Sequence, residues 1–325
     1  MVSASSQECA LSPWGIDGTE GLWSNPPMVA LLVSSALREK AIAAGAQAWL
    51  DALPDLVAQL ETEWSLRLGA SFTTGTEAFV AEARRSDGTP AVLKVLMPQE
   101  DDSVLREIKA LRLADGRGCA QVLASDERKG ALLLERLGRP LAALGLPESQ
   151  RRDIMCRTAQ RMWRPASGHG FPTGAEKGAW LQRFIVKTWE DAGRPCSARV
   201  VDHAWAAAER RIAAHDEARA VLVHGDVHEF NVLEAGEGFK LVDPDGLLAE
   251  PEYDLGVILR EDPPEQMRVD PRRNARELAS LTGCGADAIW EWSAVERVST
   301  GLLLVTMSMQ PLGSQMLQAA EVAAQ

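Results

Sequence analysis

The sequence predicts an α+β chain of two lobes, a small β-sheet lobe carrying one helix and then a larger, mainly helical lobe. Two observations predict it. Between residues 66 and 134 short apolar runs alternate with turn residues around one helical stretch. Beyond residue 138 apolar positions recur at helical spacing through long segments bearing Trp163, Trp180, Trp189 and Trp205. Residues 1–40 are expected as an N-terminal extension, 41–137 as the first lobe and 138–325 as the second.

Residues 1–27 mix Gly, Pro and Ser with Trp14 and Trp23 and show no period. From residue 28 to about 64 the Ala/Leu-rich pattern is helical, with interruptions expected near Gly45 and Pro54. The period then shortens: Leu66 and Leu68, a Gly/Thr-rich turn over residues 69–75, the run Ala78-Phe79-Val80, a hairpin turn at Asp87-Gly88, and Ala91-Val92-Leu93-Lys94-Val95. Asp101, Asp102 and Ser103 offer capping oxygens to a helix whose apolar positions are Val104, Leu105, Ile108 and Leu111. Strands are expected at 121–125 and 131–134, and within the helical lobe at 221–223, 231–233 and 239–242.

Composition narrows the function classes. With 34 Lys and Arg against 46 Asp and Glu, the net charge of −12 repels phosphate backbones, so nucleic acid is not an expected partner. The five cysteines are scattered and form no C-x-x-C pair, which suits a reducing cytoplasm. No basic region precedes an apolar one, the first basic residue being Arg38, and apolar runs are too short to span a bilayer, so neither export nor a membrane is expected. A monomer or homodimer is the expected state.

The chemistry concentrates in three places. Residues 224–231, His-Gly-Asp-Val-His-Glu-Phe-Asn, fit H-x-D-x-x-x-x-N, the spacing of a kinase catalytic loop, in which Asp226 meets the acceptor hydroxyl and Asn231 ligates metal. Twelve residues past Asn231, Asp243 ends an apolar strand and would present a second oxygen to Mg²⁺. Upstream, Lys94 closes an apolar strand, and Glu107 lies beside the apolar stripe of the next helix, where a carboxylate wants a cation. A Lys–Glu pair holding the lysine on nucleotide phosphates is the kinase arrangement; a surface lysine on an edge strand is the bland alternative. His224 is expected to order the loop by hydrogen bonding, and His228 has no assigned role.

Weaker signals surround these. The loop 69–76, with Thr74 and Gly75, would cover phosphates with backbone N–H groups, or be a plain turn, since it lacks G-x-G-x-x-G spacing. Asp245, Glu250, Glu252, Asp254, Glu261 and Asp262 face one base, Arg260; such a run is usually a solvated face, yet here it would hold amines or guanidinium groups. Asp245, Glu229, Glu261 and Asp262 are the candidates for a cationic acceptor. The tryptophans of the second lobe are read as core rather than as a sugar platform. There is no Walker P-loop, Rossmann fingerprint, nucleophile elbow or metal cluster.

The segments Ala91-Val92-Leu93-Lys94, residues 130–137, His224-Gly225-Asp226, Asn231-Val232-Leu233, Asp243-Pro244 and Pro251-Glu252-Tyr253-Asp254-Leu255 resemble the aminoglycoside and hydroxyurea phosphotransferase family, in the branch containing streptomycin phosphotransferases. The resemblance runs from about Trp64 to the region of Arg297. It implies a bilobal protein-kinase-like fold, ATP or GTP as co-substrate with Mg²⁺, and transfer of the γ-phosphoryl to a hydroxyl of a small, aminoglycoside-like acceptor. It further implies Asp226 as base, Asn231 and Asp243 as magnesium ligands, Lys94 on the phosphates, the backbone of Glu135 to Leu137 against the purine, and Asp254 as a support of the loop. The sequence departs from that pattern at Glu229-Phe230, where Pro-Gly or His-Gly is common, and at Asp245, where a lysine often follows Asp-Pro. Two other readings stay open: a kinase of a metabolite such as an amino alcohol or sugar, and a non-catalytic nucleotide-binding regulator.

Overall fold

The computed structural model describes residues 31–73, 75–99 and 101–325. They form two compact units: one runs to Pro147 and takes back Glu229–Pro244, and the other comprises Glu148–His228 and Asp245–Gln325. The first unit opens with helices α1 (Ser35–Ala43) and α2 (Gln47–Glu63), strands β1 (Leu66–Phe72), β2 (Ala78–Arg85) and β3 (Pro90–Leu96), helix α3 (Ser103–Ala114), and strands β4 (Val122–Asp126) and β5 (Ala131–Glu135). The second begins with α4 (Glu148–Met162), α5 (Gly174–Asp191), α6 (Ala198–Ala213) and β6 (Val221–Val223). Strands β7 (Val232–Ala235) and β8 (Gly238–Leu241) return to the first unit. The second is completed by β9 (Leu247–Ala249), α7 (Glu252–Leu259), α8 (Pro264–Val269), α9 (Arg273–Thr282), α10 (Ala286–Thr306) and α11 (Leu312–Ala323).

The α+β expectation holds. In the first unit the sheet order is β1-β2-β3-β5-β4, antiparallel throughout, so β3 is central and Lys94 is not the edge lysine of the bland reading. Alternation along β3 sends Ala91, Leu93 and Val95 into a core shared with Leu37, Leu50, Leu53, Val57 and Leu60 of α1 and α2. Val92, Lys94 and Leu96 therefore take the other face. The helix expected to break at Pro54 does not: its buried stripe Leu50, Leu53, Val57 and Leu60 holds α2 together against the ~3 kcal/mol that an interior proline costs. Helix α1 starts inside the stretch read as an extension and buries Leu37 in the same core. Strand β1 continues through Gly69 to Phe72, absorbing part of the expected turn as an irregularity between Leu68 and Ser71.

The sequence places one break after residue 137, whereas the structure groups residues 229–244 with the first unit. The physical reason is hydrogen bonding. Leu241 N–H donates to Gly118 O (2.7 Å), Leu241 O accepts from Ala120 (2.8 Å), and Gly138 N–H donates to Glu234 O (2.8 Å).

In the second unit α10 is the central helix, buried along Trp292, Val295, Val298 and Leu302 and packed on α5, α6, α7 and α11. The expectation of core tryptophans is met only in part. Trp163 and Trp189 pack partly buried against this core, while Trp180 and Trp205 remain 46% and 38% exposed. On α5 the buried face is Leu181 and Ile185, and Trp180 lies about 100° round the helix from Leu181. Among the described residues Trp290 and Trp292 are buried, and at Trp292 α7 passes so close that a Cβ on Gly256 would lie 2.4 Å from Trp292 Cβ and 2.9 Å from Ser293 N. Gly256→Ala is therefore expected to destabilise the protein by about 2–3 kcal/mol, read as a lowered urea midpoint with an unchanged denaturant slope.

Candidate functional site

The first unit gathers one group of predicted residues. The hairpin register pairs Val232 with Leu241 and Leu233 with Lys240, and Val242 N–H then donates to Asn231 O at 2.9 Å. Asn231 and Asp243, twelve residues apart in sequence, are thereby brought to the open end of one hairpin. Asp243 takes the left-handed conformation, φ 59°, which aspartate tolerates better than most residues. Its Oδ1 receives Lys94 Nζ at 2.8 Å, and Lys94 also donates to Glu107 Oε1 at 2.6 Å. The lysine side chain is 5% exposed. Burial acts to lower the Lys94 pKa, but the charges of Asp243 and Glu107 outweigh it, so the ammonium form is stabilised. Glu107 is pushed up to about 7, first by burial, with Lys94 opposing and Asp243 adding to the rise.

Asn231 and Asp243 supply only oxygen donors, which suits hard Mg²⁺. Among the described residues no group of three or more His, Cys, Asp or Glu is arranged to hold a metal ion. A magnesium site needs no such cage, because Mg²⁺ keeps waters and takes one or two carboxylates together with substrate phosphates. The two residues fit it.

The residues expected at the purine also belong to this unit. Glu135, Leu137, Gly138, Glu234 and Lys240 line a pocket of about 550 Å³. Glu135 Oε1 is engaged by Gln121 N–H at 2.6 Å and by Lys240. Thr74 lies outside the described residues. Gly75 is buried, and its carbonyl accepts from Ser34 Oγ, the N-cap of α1, at 3.0 Å. Glu229 accepts Ala142 N–H on its carbonyl at 3.1 Å.

The second unit carries Asp226. Strand β6 pairs with β9, a strand the sequence does not reveal, and ends at the turn His224-Gly225-Asp226. Gly225 has φ 93°, and a Cβ there would lie 2.8 Å from Asp245 Cβ, so the position requires glycine. Asp254, in the first turn of α7, holds the turn: its carboxylate accepts His224 N–H (3.0 Å), Gly225 N–H (2.8 Å) and Trp163 Nε1–H (2.8 Å). Burial raises the pKa of this carboxyl, against the pull of His224 and these donors. His224 is fully buried, and its Nδ1 accepts Asp226 N–H at 3.2 Å.

Asp226 has partners that sequence reasoning missed. Arg260, at the end of α7, reaches Oδ1 at 2.9 Å, and His228 Nε2 lies 3.3 Å from Oδ2. Burial alone would raise the Asp226 carboxyl, yet His228 and Arg260 hold it well below the usual carboxylate range. The only sequence signal for Arg260 is that it is the lone base in an acidic run. Asp245, at the position where the family often has lysine, faces Lys177 of α5 at 3.4 Å.

The acidic run is not one solvated face. Asp254 and Asp262 are buried, Asp262 accepting from Arg152 and Asn274, both at 2.9 Å. Glu252 accepts Gly285 N–H at 2.8 Å, and Glu250 accepts Trp292 Nε1–H at 2.7 Å. Asp245 and Glu261 stay half exposed. These carboxylates are needed inside because helix termini, an indole and arginines buried around them require acceptors.

An α+β chain with these two constellations is a protein-kinase-like phosphotransferase. It is similar, with a TM-score of 0.57, to a thermostable mutant of an aminoglycoside phosphotransferase solved in ternary complex with ADP and hygromycin B, at 13% identity over 82% of this chain and 97% of that one. With a choline kinase from Streptococcus pneumoniae the TM-score is 0.54, at 12% identity over 84% and 99%. At such identities the likeness is one of fold. Residues 63–286 match the family described as aminoglycoside/hydroxyurea antibiotic resistance kinase. A streptomycin 6-kinase from Streptomyces glaucescens is 32% identical over 216 residues, 66% of this chain and 68% of that protein. A hydroxyurea phosphotransferase from Kitasatospora aureofaciens is 35% identical over 217 residues, 65% of this chain and 62% of that protein. The chain belongs to the aminoglycoside/hydroxyurea antibiotic resistance kinase family, and it is a transferase that places a phosphoryl group on a hydroxyl. Among the described residues no helix is long and apolar enough to cross a membrane.

Asp254→Ala would remove the acceptor of two buried backbone N–H groups and of the partly buried Trp163 indole. At about 1–3 kcal/mol for each orphaned group, a loss of about 3 kcal/mol or more is expected in equilibrium unfolding.

Proposed function

We propose that this chain transfers the γ-phosphoryl of ATP or GTP to a hydroxyl of a streptomycin-like aminoglycoside, and so inactivates the antibiotic. Two observations carry the reading, one in each unit: the Lys94–Glu107–Asp243 cluster of the first, and in the second the turn that Asp254 holds and that presents Asp226. Lys94, fixed by Glu107, would hold the nucleotide phosphates. Asn231 and Asp243 would hold Mg²⁺, which when bound neutralises charge on the phosphates. The backbone of Glu135 to Leu137 would meet the purine beside the 550 Å³ pocket.

Asp226 would orient the acceptor hydroxyl. As the acceptor oxygen bonds to the γ-phosphorus, the bond from that phosphorus to the β,γ-bridging oxygen breaks, and the hydroxyl proton passes to Asp226. A loose transition state asks little of the base, so a carboxylate of low basicity suffices.

The test is Mg-dependent consumption of ATP and GTP with streptomycin, other aminoglycosides, hydroxyurea and amino alcohols. Stimulation by a streptomycin-like compound is expected; stimulation by amino alcohols alone would replace the antibiotic reading with a metabolite kinase. In the same assay Asp226→Asn should lower kcat by roughly 100-fold or more, while nucleotide affinity measured by calorimetry stays within about threefold. Asn231→Ala should raise the Mg²⁺ concentration needed for half-maximal rate by roughly tenfold, measured by titrating the metal at fixed nucleotide.

A further inference from the structure

Arg260 is the one base in the acidic run, and the reading of Asp226 as the acceptor residue leaves it without a task. Its guanidinium is nearly buried, 11% exposed, and stands 2.9 Å from Asp226 Oδ1. The backbone that carries it is pinned, since Arg297, fully buried in α10, donates to the carbonyls of Arg260 (3.0 Å) and Leu259. Its other charged neighbours are Glu261 at 3.8 Å and, farther off, Glu296, whose carboxylate is bound by Tyr253. Neither acid competes at hydrogen-bond distance for the guanidinium, so its short contact is to Asp226.

We propose that Arg260 is a positioning residue for the acceptor step: its guanidinium, held against Oδ1, fixes the rotation of the Asp226 carboxylate so that the acceptor hydroxyl meets an oriented oxygen. The proposal rests on the reading of Asp226 as the acceptor residue. A planar guanidinium restrains a carboxylate in angle as well as distance, which an ammonium does not. The groups facing Asp226 are His224 and His228 from its own loop, Arg260 from the end of α7, and Lys177 from α5, itself closer to Asp245. Of these, Arg260 carries a charge at every pH an assay can use.

The whole chain is assayed as Arg260→Met, Arg260→Lys and Asp226→Asn beside the parent, with MgATP and streptomycin from about pH 5 to 9. Arg260→Met is expected to lower kcat roughly 10- to 100-fold with the nucleotide KM within about threefold, as a loosened reacting group does. Its acid limb should move up by about 1–3 pH units, because an aspartate losing an arginine neighbour becomes easier to protonate. Arg260→Lys should restore the acid limb more fully than kcat, since it returns the charge but not the planar contact.

Parental kcat and acid limb in a folded Arg260→Met, beside an inactive Asp226→Asn, would overturn the proposal and leave the reading of Asp226 intact. Turnover retained in Asp226→Asn would overturn that reading itself. Circular dichroism establishes folding, and Arg260→Gln replaces the Met variant should the latter not fold. A carboxyl ¹³C titration of Asp226, assigned through Asp226→Asn, needs no acceptor: an unchanged midpoint without Arg260 would also overturn the proposal.

Discussion

Asp254 sits wholly inside the second unit, and its carboxylate accepts two backbone N–H groups of the turn 224–225 together with the indole N–H of Trp163. A carboxylate taken out of water costs several kcal/mol unless every lone pair it exposes finds a donor. The cost ties three parts of the chain to one point: the start of α7, the residue after α4, and the end of β6. Asp226 follows two residues later in the same turn, and Arg260 closes the helix that Asp254 opens. The position of Asp226, the carboxylate proposed to meet the acceptor, is thus inherited from that of a buried one.

The same constraint governs the first unit through Lys94. Its place on the central strand, on the face opposite the α1–α2 core, takes its ammonium out of water, and Glu107 and Asp243 answer it. Burial, with Asp243 adding to it and Lys94 opposing, pushes Glu107 up to about 7, while the charges of Asp243 and Glu107 outweigh burial at Lys94, which keeps its proton. For phosphoryl transfer this is useful preorganisation, because catalysis there is mainly positioning and charge stabilisation.

The net charge of −12 is not a map of the surface. Glu250, Glu252, Asp254 and Asp262 serve as internal acceptors for an indole, for backbone N–H groups and for arginine or asparagine side chains. The acids still open to a cationic acceptor in that run are Asp245 and Glu261, and Asp245 has Lys177 beside it. Asp245 therefore has a cation beside it, contributed by α5.

What the sequence determined by itself was whatever depends on local order. The strand and helix periods, the turn at Gly88, and the interval from Asn231 to Asp243 were legible, the last because a hairpin converts a fixed sequence interval into a fixed distance. The Lys94–Glu107 pair was legible for a related reason, an ion on an apolar stripe being too costly to leave alone. Tertiary structure alone decided which strand is central, that α2 survives Pro54, that Trp292 rather than Trp180 is core, and that Arg260 meets Asp226. Each of these depends on contacts between residues far apart in the chain, where no period or spacing constrains the partner and only the competition for buried volume and buried charge selects it.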